Sequence, residues 1–501
     1  MTQVISAIIS GVLLALPFCD GRLWIFAWFG FVPLLFALRG VSPKRAFLFS
    51  YITGIVFWAI TIYWLVHVTL LGQIILILYL SLYFGAFGFI VSRSKFSFTF
   101  HLSPFTFFFI PSLWVLLEYL RAHLLTGFGW AFLGYSQYLN LPIIQIADIA
   151  GVYGVSFLLM LTNVAIWEML LRVKGQGLRV KERKIWLFSF FVLFVFSLGY
   201  GCYKLSSFTL YPSPLTLKVS VIQGNIPQEL KWAPGMKGVI LNRYLELTRG
   251  AAIDKPDLII WPESSNPGFV GEDEGIFREI LDYAAFVKTP VLIGTVIKEE
   301  NDYFNSALLI DAQGEVAGRY DKLHLVPFGE YIPLKKMLPF LEVVVPIGDF
   351  TAGKEYTLLG LQRTEVRFAV LICFEDTVSK LSREFVKRGA DFLVNITNDG
   401  WYKDTSAPYQ HLSASVFRAV ENRIPLVRAA NTGVSCFIDT KGRISGRVAE
   451  GNKDTFITGY RSREITLNKS PSIYNFAGDW FVLCCVLGAC CGIITKIFTK
   501  K

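Results

Sequence analysis

In the run Phe368-Ala-Val-Leu-Ile-Cys-Phe-Glu-Asp376 the apolar stretch ends in a thiol, and it reads as a buried strand delivering Cys373 to a sheet edge. Upstream stand Trp261-Pro-Glu-Ser264 and Tyr320-Asp-Lys-Leu-His-Leu-Val-Pro-Phe-Gly-Glu330. A carboxylate, a lysine and a cysteine, each at a strand end or in the turn after it, are the parts of an acyl-transfer site. A thiol attacks as thiolate, so Cys373 needs a base or positive surroundings. Glu263, projected from the strand Leu258–Trp261 by Pro262, is placed to take its proton. Lys322 supplies fixed positive charge where negative charge develops on a carbonyl oxygen, and the main-chain N–H of Phe374 is the natural second donor. Glu330 follows Lys322 closely enough to hold it or Glu263. Glu375 returns to the side of Cys373 if the chain stays extended. Singly, each residue has an ordinary structural reading: a strand-end cysteine, a turn glutamate, a solvated lysine. Their order within one α/β segment points to chemistry.

The elements that must position them lie between about 215 and 465. Strands are expected at Leu217–Gln223, Leu258–Trp261, Val291–Ile297, Ser306–Asp311, Val366–Cys373, Phe392–Thr397, Leu426–Ala430 and Val434–Asp439, with helices at 237–252, 274–287, 378–389 and 407–422. Apolar strands alternating with helices argue for a layered α/β domain with buried sheets.

Around this segment the chain is of another kind. Of the 501 residues, 53% are hydrophobic and 17% charged, against about a quarter charged in a soluble domain. A spanning helix needs about 20 mostly apolar residues. Candidates are 2–19, 23–38, 46–70, 73–92, 104–120, 149–171 and 185–203, with an eighth at 478–496. The first run lacks a basic leader and a cleavage site and is followed at once by another, so it reads as an uncleaved membrane helix. With a cytoplasmic N-terminus, the inside connections collect Arg39, Lys44, Arg45, Arg93, Lys95 and the six basic residues between Arg172 and Lys184. The short outside connections carry only Arg22 and Arg121, which fits the positive-inside rule. The expected domains are thus 1–208, with seven membrane helices; 209–470, extracytoplasmic and catalytic; and 471–501, the eighth helix and a cytoplasmic tail.

The Gly- and aromatic-rich segment Ala122–Asp148 is either an interfacial segment or an ordered loop packed on the helices. Glu118, Arg121, His123, Asp148 and Glu168 lie in or near the membrane segments, without chemistry assigned to them. Tyr331–Ile347, more apolar than an exposed loop, reads as a lid over the site.

The net charge of +10 does not gather into one patch, so nucleic acid is not implied. Eight cysteines contain no CxxC pair, which argues against a zinc site or a disulfide framework.

These blocks resemble the three catalytic blocks of the nitrilase superfamily. Gln223-Gly-Asn-Ile-Pro227 with Trp232, Asn398-Asp-Gly-Trp401 and Gly478-Asp-Trp480 narrow the resemblance to the apolipoprotein N-acyltransferase family, over essentially the whole chain. The resemblance implies an αββα sandwich on an eight-helix membrane domain. By motif, Glu263 is the base, Lys322 the oxyanion-stabilising lysine and Cys373 the nucleophile. Glu330 and Glu375 are accessory acids, and Trp232 and Trp401 lie on loops around the site. Phe374 departs from the family, whose members often carry Tyr there.

The implied reaction moves the sn-1 acyl chain of a phospholipid, with phosphatidylethanolamine the expected donor, through a Cys373 thioester. The acceptor is the α-amine of the N-terminal diacylglyceryl-cysteine of a lipoprotein. No metal or organic cofactor is implied, nor a partner beyond substrates and membrane lipids, and a monomer is the default. The expected location is a bacterial inner membrane, with both termini cytoplasmic and the catalytic domain periplasmic. A membrane-tethered amidase with water as acceptor explains the triad but leaves the seven preceding spans without purpose. A transporter or receptor with a ligand-binding outer domain has no need of the full Glu-Lys-Cys set.

Overall fold

The computed structural model describes residues 1–94, 104–173, 180–206, 215–233, 235–332, 350–362, 364–467 and 470–498. Most of the apolar segment Tyr331–Ile347 read as a lid, residues 333–347, lies outside the described residues. The chain divides into two compact units, Met1–Phe208 with Ala477–Lys501, and Thr209–Phe476.

The first unit is helical. Among the described residues, Thr2–Cys19, Leu70–Arg93, Ala147–Leu171 and Phe188–Ser206 are long and apolar enough to cross a membrane, and Gly21–Ala37 and Trp480–Cys490 are shorter apolar helical stretches. Two expected runs differ. Residues 23–38 are not one helix: Gly21–Trp28 forms a 3-10 segment and Val32–Ala37 a short α-helix. Pro33 offers no N–H to a continuing helix and sits in the first turn of the new one. The run 46–70 breaks after Pro43–Thr61, continuing as the 3-10 segment Tyr63–His67. Gln73 there donates to the carbonyls of Ile62 and Tyr63 at 3.1 and 3.2 Å, satisfying groups the broken helix leaves open.

Between Ala122 and Asp148 the chain is an ordered loop packed on the helices. Trp130 and Tyr135 are buried, and the Arg121 guanidinium donates to the carbonyls of Phe128 and Trp130 at 2.9 and 2.6 Å. Glu118 accepts the N–H of Leu133 at 2.7 Å, and Asp148 accepts from the Tyr200 hydroxyl at 2.8 Å. These buried charges hold loops and helices together.

The second unit holds two sheets. The first contains β1 (Leu215–Gln223), β2 (Leu258–Ile260), β3 (Phe269–Val270), β4 (Val291–Glu299), β5 (Asp302–Ile310), β6 (Val316–Asp321) and the late strand β13 (Gly459–Leu467), ordered 13-1-2-4-5-6 with β3 beside β4. The second contains β7 (Leu359–Gly360), β8 (Arg367–Ile372), β9 (Phe392–Thr397), β10 (Leu426–Ala430), β11 (Cys436–Ile438) and β12 (Ile444–Ser445), ordered 12-11-10-9-8-7. Each sheet has a parallel centre, β1-β2-β4 and β8-β9-β10, with antiparallel edges. Helices Lys237–Ile253 and Glu274–Val287 pack on the first sheet, and Ser379–Lys387 and Ala407–Asn422 on the second. The sheets face each other, giving the αββα layering that the resemblance implies.

The expected helices and central strands occur within a few residues of their positions. Strands β3, β6, β7, β12 and β13 had no signal. β13 reads as polar, yet it pairs with β1 along its whole length, so its edge register and not its own hydrophobicity makes it a strand.

Candidate active site

In open α/β sheets, ligand sites form beyond the carboxyl ends of the parallel strands. Glu263 follows β2, Cys373 follows β8, Asn398 follows β9, and Lys322 follows the antiparallel β6.

Glu263 reaches its position through a tight turn. Ser264 has φ +49°, and β4 approaches the turn so closely that a Cβ on Gly294 would lie 2.6 Å from the Glu263 Cα. Ser265 N–H then bonds to the Gly294 carbonyl at 2.8 Å, anchoring the exit. The Glu263 carboxylate is buried and doubly held. Oε1 accepts from Asn305 Nδ2 at 2.8 Å and Oε2 from the Asn398 N–H at 2.9 Å.

Lys322 is also buried, with Nζ 2.9 and 2.8 Å from the two oxygens of Glu330 and 3.9 Å from Glu263 Oε1. Burial alone would lower its pKa. The charge of Glu330, then those of Cys373 and Glu263, outweigh that and hold it above the usual lysine range. Asn305 Nδ2 also donates to Glu330 at 2.7 Å, so one amide bridges the two carboxylates that flank the lysine.

Cys373 leaves β8 with φ +54°, the left-handed region. Burial, and next the Glu263 charge, push its thiol pKa up, while Lys322 pulls it down. Burial thus favours a neutral thiol at rest, whose proton leaves as the sulfur attacks.

The left-handed turn corrects one expectation. The chain is not extended past Cys373; it winds into the 3-10 turn Cys373–Thr377 and carries Glu375 into the interior. There Glu375 accepts the N–H groups of Leu323, His324 and Ile372 at 2.8, 3.0 and 2.8 Å and the Tyr320 hydroxyl at 2.9 Å. Burial pushes its pKa up to about 7 against these donors. Its place is under the site, tying the Lys322 segment to the Cys373 turn. Phe374 lies over the His324 ring, centroids 6.2 Å apart.

Trp232 and Trp401 are both half exposed. Trp232 packs against Phe269 with centroids 5.2 Å apart, and Trp401 sits in the 3-10 turn Asp399–Tyr402.

Three groups of neighbours lie outside the blocks the sequence pattern points to. Asn305 precedes the expected start of its strand, so the strand pattern does not place it on the inward side. Lys231 is buried beside Trp232, with Nζ 3.1 Å from the Glu263 carbonyl oxygen. Burial pushes its pKa down to about 8, against the pull of Glu263 and Cys373. Finally, the helix Ala407–Asn422 presents His411, Ser415 and Arg418 at intervals of four and three residues to the Cys373 turn. That spacing of polar residues along one face was legible.

Residues 10–165 match the apolipoprotein N-acyltransferase N-terminal domain, and residues 218–467 match carbon-nitrogen hydrolase. The apolipoprotein N-acyltransferase of Geobacter metallireducens is 40% identical over 97% of this chain and 93% of its own length. Those of Vibrio cholerae and Methylococcus capsulatus are 31% and 32% identical, over 95% and 100% of this chain and 93% and 97% of their own lengths.

Proposed function

The chain belongs to the apolipoprotein N-acyltransferase family, and on that premise we propose that Glu263, Lys322 and Cys373 carry the transfer as base, oxyanion partner and nucleophile. The observation that carries this reading is the convergence of the three at strand ends of facing sheets, with Lys322 Nζ 3.9 Å from Glu263 Oε1 and both charges acting on the Cys373 thiol.

In the first half-reaction the Cys373 sulfur attacks the sn-1 ester carbonyl of a phospholipid, with phosphatidylethanolamine as donor, while Glu263 takes the thiol proton. Lys322 and the main-chain N–H of Phe374 stabilise the oxyanion. Collapse breaks the ester C–O bond, and the lysophospholipid alkoxide takes the proton from Glu263. In the second half the neutral α-amine of a diacylglyceryl-cysteine attacks the thioester, Glu263 accepts its proton, and the departing thiolate recovers it. Glu330 holds Lys322, and Trp232 and Trp401 border the lipid path.

The first unit, which includes the last helix, forms the membrane domain, with eight spans. The catalytic unit lies on the periplasmic side of a bacterial inner membrane, with both termini cytoplasmic; the positive charge of the alternate loops supports this orientation. The enzyme works as a monomer.

Incubating the purified enzyme with defined phosphatidylethanolamine should give an acyl adduct on Cys373 by peptide mass spectrometry. Adding a diacylated lipopeptide should discharge the adduct to an N-acyl product. No adduct, or discharge to free fatty acid alone, sinks the reading.

A further inference from the structure

The helix Ala407–Asn422 is buried along its length, yet one face carries His411, Ser415 and Arg418. All three turn to the segment Cys373–Thr377. His411 Nε2 lies 2.9 Å from Asp376 Oδ1 and 3.2 Å from the Cys373 carbonyl oxygen, and Nδ1 lies 2.8 Å from Asp399 Oδ1. The Ser415 hydroxyl donates to Asp376 Oδ2, and Arg418 Nη1 reaches the carbonyls of Asp376 and Thr377 at 3.4 and 3.5 Å. From β10, Arg428 joins Asp376 Oδ2 at 3.2 Å and Asp399 Oδ2 at 3.1 Å. The packing against this cluster is close: a Cβ on Gly433 would fall 2.0 Å from Asp399 Oδ2.

Charge decides the state of the imidazole. Asp376 and Asp399 bring two negative charges into a dry interior and Arg428 brings one positive, while Arg418 is paired with the buried Glu421 at 2.7 Å; an imidazolium at His411 balances the remaining charge. In that form both ring N–H groups donate, one to Asp399 and the other shared between Asp376 and the Cys373 carbonyl.

The consequence reaches both reacting groups. The left-handed turn at Cys373 is strained for a non-glycine residue and persists only where its surroundings fix it. Its carbonyl is held by His411 and by Asn395 Nδ2, the latter at 3.1 Å. Asp399, on the other ring nitrogen, follows Asn398, whose N–H holds Glu263.

We propose that His411 is a positioning residue of the acyl transfer, fixing through one ring the turn that aims the Cys373 thiol and the loop that aims Glu263. The inference rests on Cys373 being the nucleophile. A histidine that merely fills the core would change stability when replaced; this one sets the rate at which Cys373 is acylated, at unchanged affinity for lipid.

The test uses the full-length enzyme in detergent and single-turnover acylation of Cys373 by phosphatidylethanolamine, followed by mass spectrometry. The amide of His411→Gln reaches the Nε2 position and donates toward the Cys373 carbonyl; that of His411→Asn reaches only the Nδ1 position and serves Asp399. His411→Asn should lower the maximal acylation rate about a hundredfold with the half-saturating lipid concentration unchanged, the scale expected when a reacting group is misplaced by an ångström. His411→Gln should recover about tenfold of that loss. Equal rates in the two folded variants, or a faster Asn variant, would overturn the proposal. So would failure of both to fold, because His411 would then be a folding residue. A wild-type enzyme that never carries acyl on Cys373 overturns the nucleophile reading itself, a failure visible before any variant is made.

Discussion

The main-chain N–H of Asn398 donates to Glu263 Oε2 at 2.9 Å, so the end of β9 in one sheet fixes the carboxylate that projects from β2 in the other. Asn305 completes the hold from β5. The carboxylate thus keeps its orientation without help from a substrate, and each sheet contributes to a constellation that neither could assemble alone.

Cys373→Ala should abolish both the acyl adduct and all product. Cys436→Ala should leave transfer within about twofold, because Cys436 is fully buried in β11 and burial pushes its thiol pKa up to about 12, outside the reactive range. Peptide mapping of the adduct checks both, and acyl transfer by Cys373→Ala would end the assignment.

Glu263→Gln and Lys322→Met should each lower acylation of Cys373 by about 10²-fold or more, the loss typical of a general base and of one oxyanion donor respectively. Lys322→Met also leaves Glu330 and Glu263 facing each other through Asn305 without the cation between them. A normal acyl-enzyme burst in Glu263→Gln would move the base elsewhere.

The blocks around Glu263, Lys322 and Cys373 were legible because each sits at the end of an apolar run, where local pattern and chemistry coincide. The turn at Cys373 was not. Nothing in Cys373-Phe-Glu375 announces a left-handed residue, and reading the chain as extended put Glu375 on the wrong side. Lys231 and Asn305 act across the fold, through contacts 32 and 42 residues away in sequence, which no local pattern records. In the helical unit, hydropathy found the apolar stretches but not their breaks, because Gln73 repairs the opened carbonyls from the next helix.

Lys231 should shape the pH profile. Its Nζ is on the Glu263 carbonyl, and with its pKa pushed down to about 8 it is charged below that pH and neutral above it. Loss of a positive charge near the thiol and its oxyanion should give the acylation rate a descending limb near pH 8. Lys231→Arg, charged throughout, should carry that limb to higher pH, and Lys231→Met should remove it while lowering the rate about tenfold. A limb unchanged in both variants would detach Lys231 from the chemistry.

The proposed orientation predicts that a periplasm-active reporter fused near residue 300 is functional and one fused near residue 178 is silent, with the reverse for a cytoplasmic reporter. The positive loops of the helical unit are the motivation. Cytoplasmic activity near residue 300 would refute the orientation and deny the enzyme its exported acceptors.

The last prediction concerns stability and pH. Burial opposes the His411 charge, but Asp376 and Asp399 outweigh both that and the repulsion of Arg428, and raise its pKa from 6.5 to about 9. The folded state therefore binds a proton that the unfolded chain releases between those values. That contribution is fully present below pH 6.5 and is lost as pH rises through about 9. Glu375 acts in the same sense over an earlier window: its pKa is raised from 4.5 to about 7, so its burial costs stability as pH rises between those values and adds no slope above them. His411 should thus contribute a fall in apparent melting temperature from pH 6.5 to 9, measured on the full-length enzyme at fixed detergent and scan rate, which Lys231, its pKa lowered to about 8, opposes above that pH. The wild type minus His411→Gln difference should shrink across the same interval, because the variant has no proton to lose there. A difference that is flat across that interval would show that His411 is not an imidazolium in the folded protein.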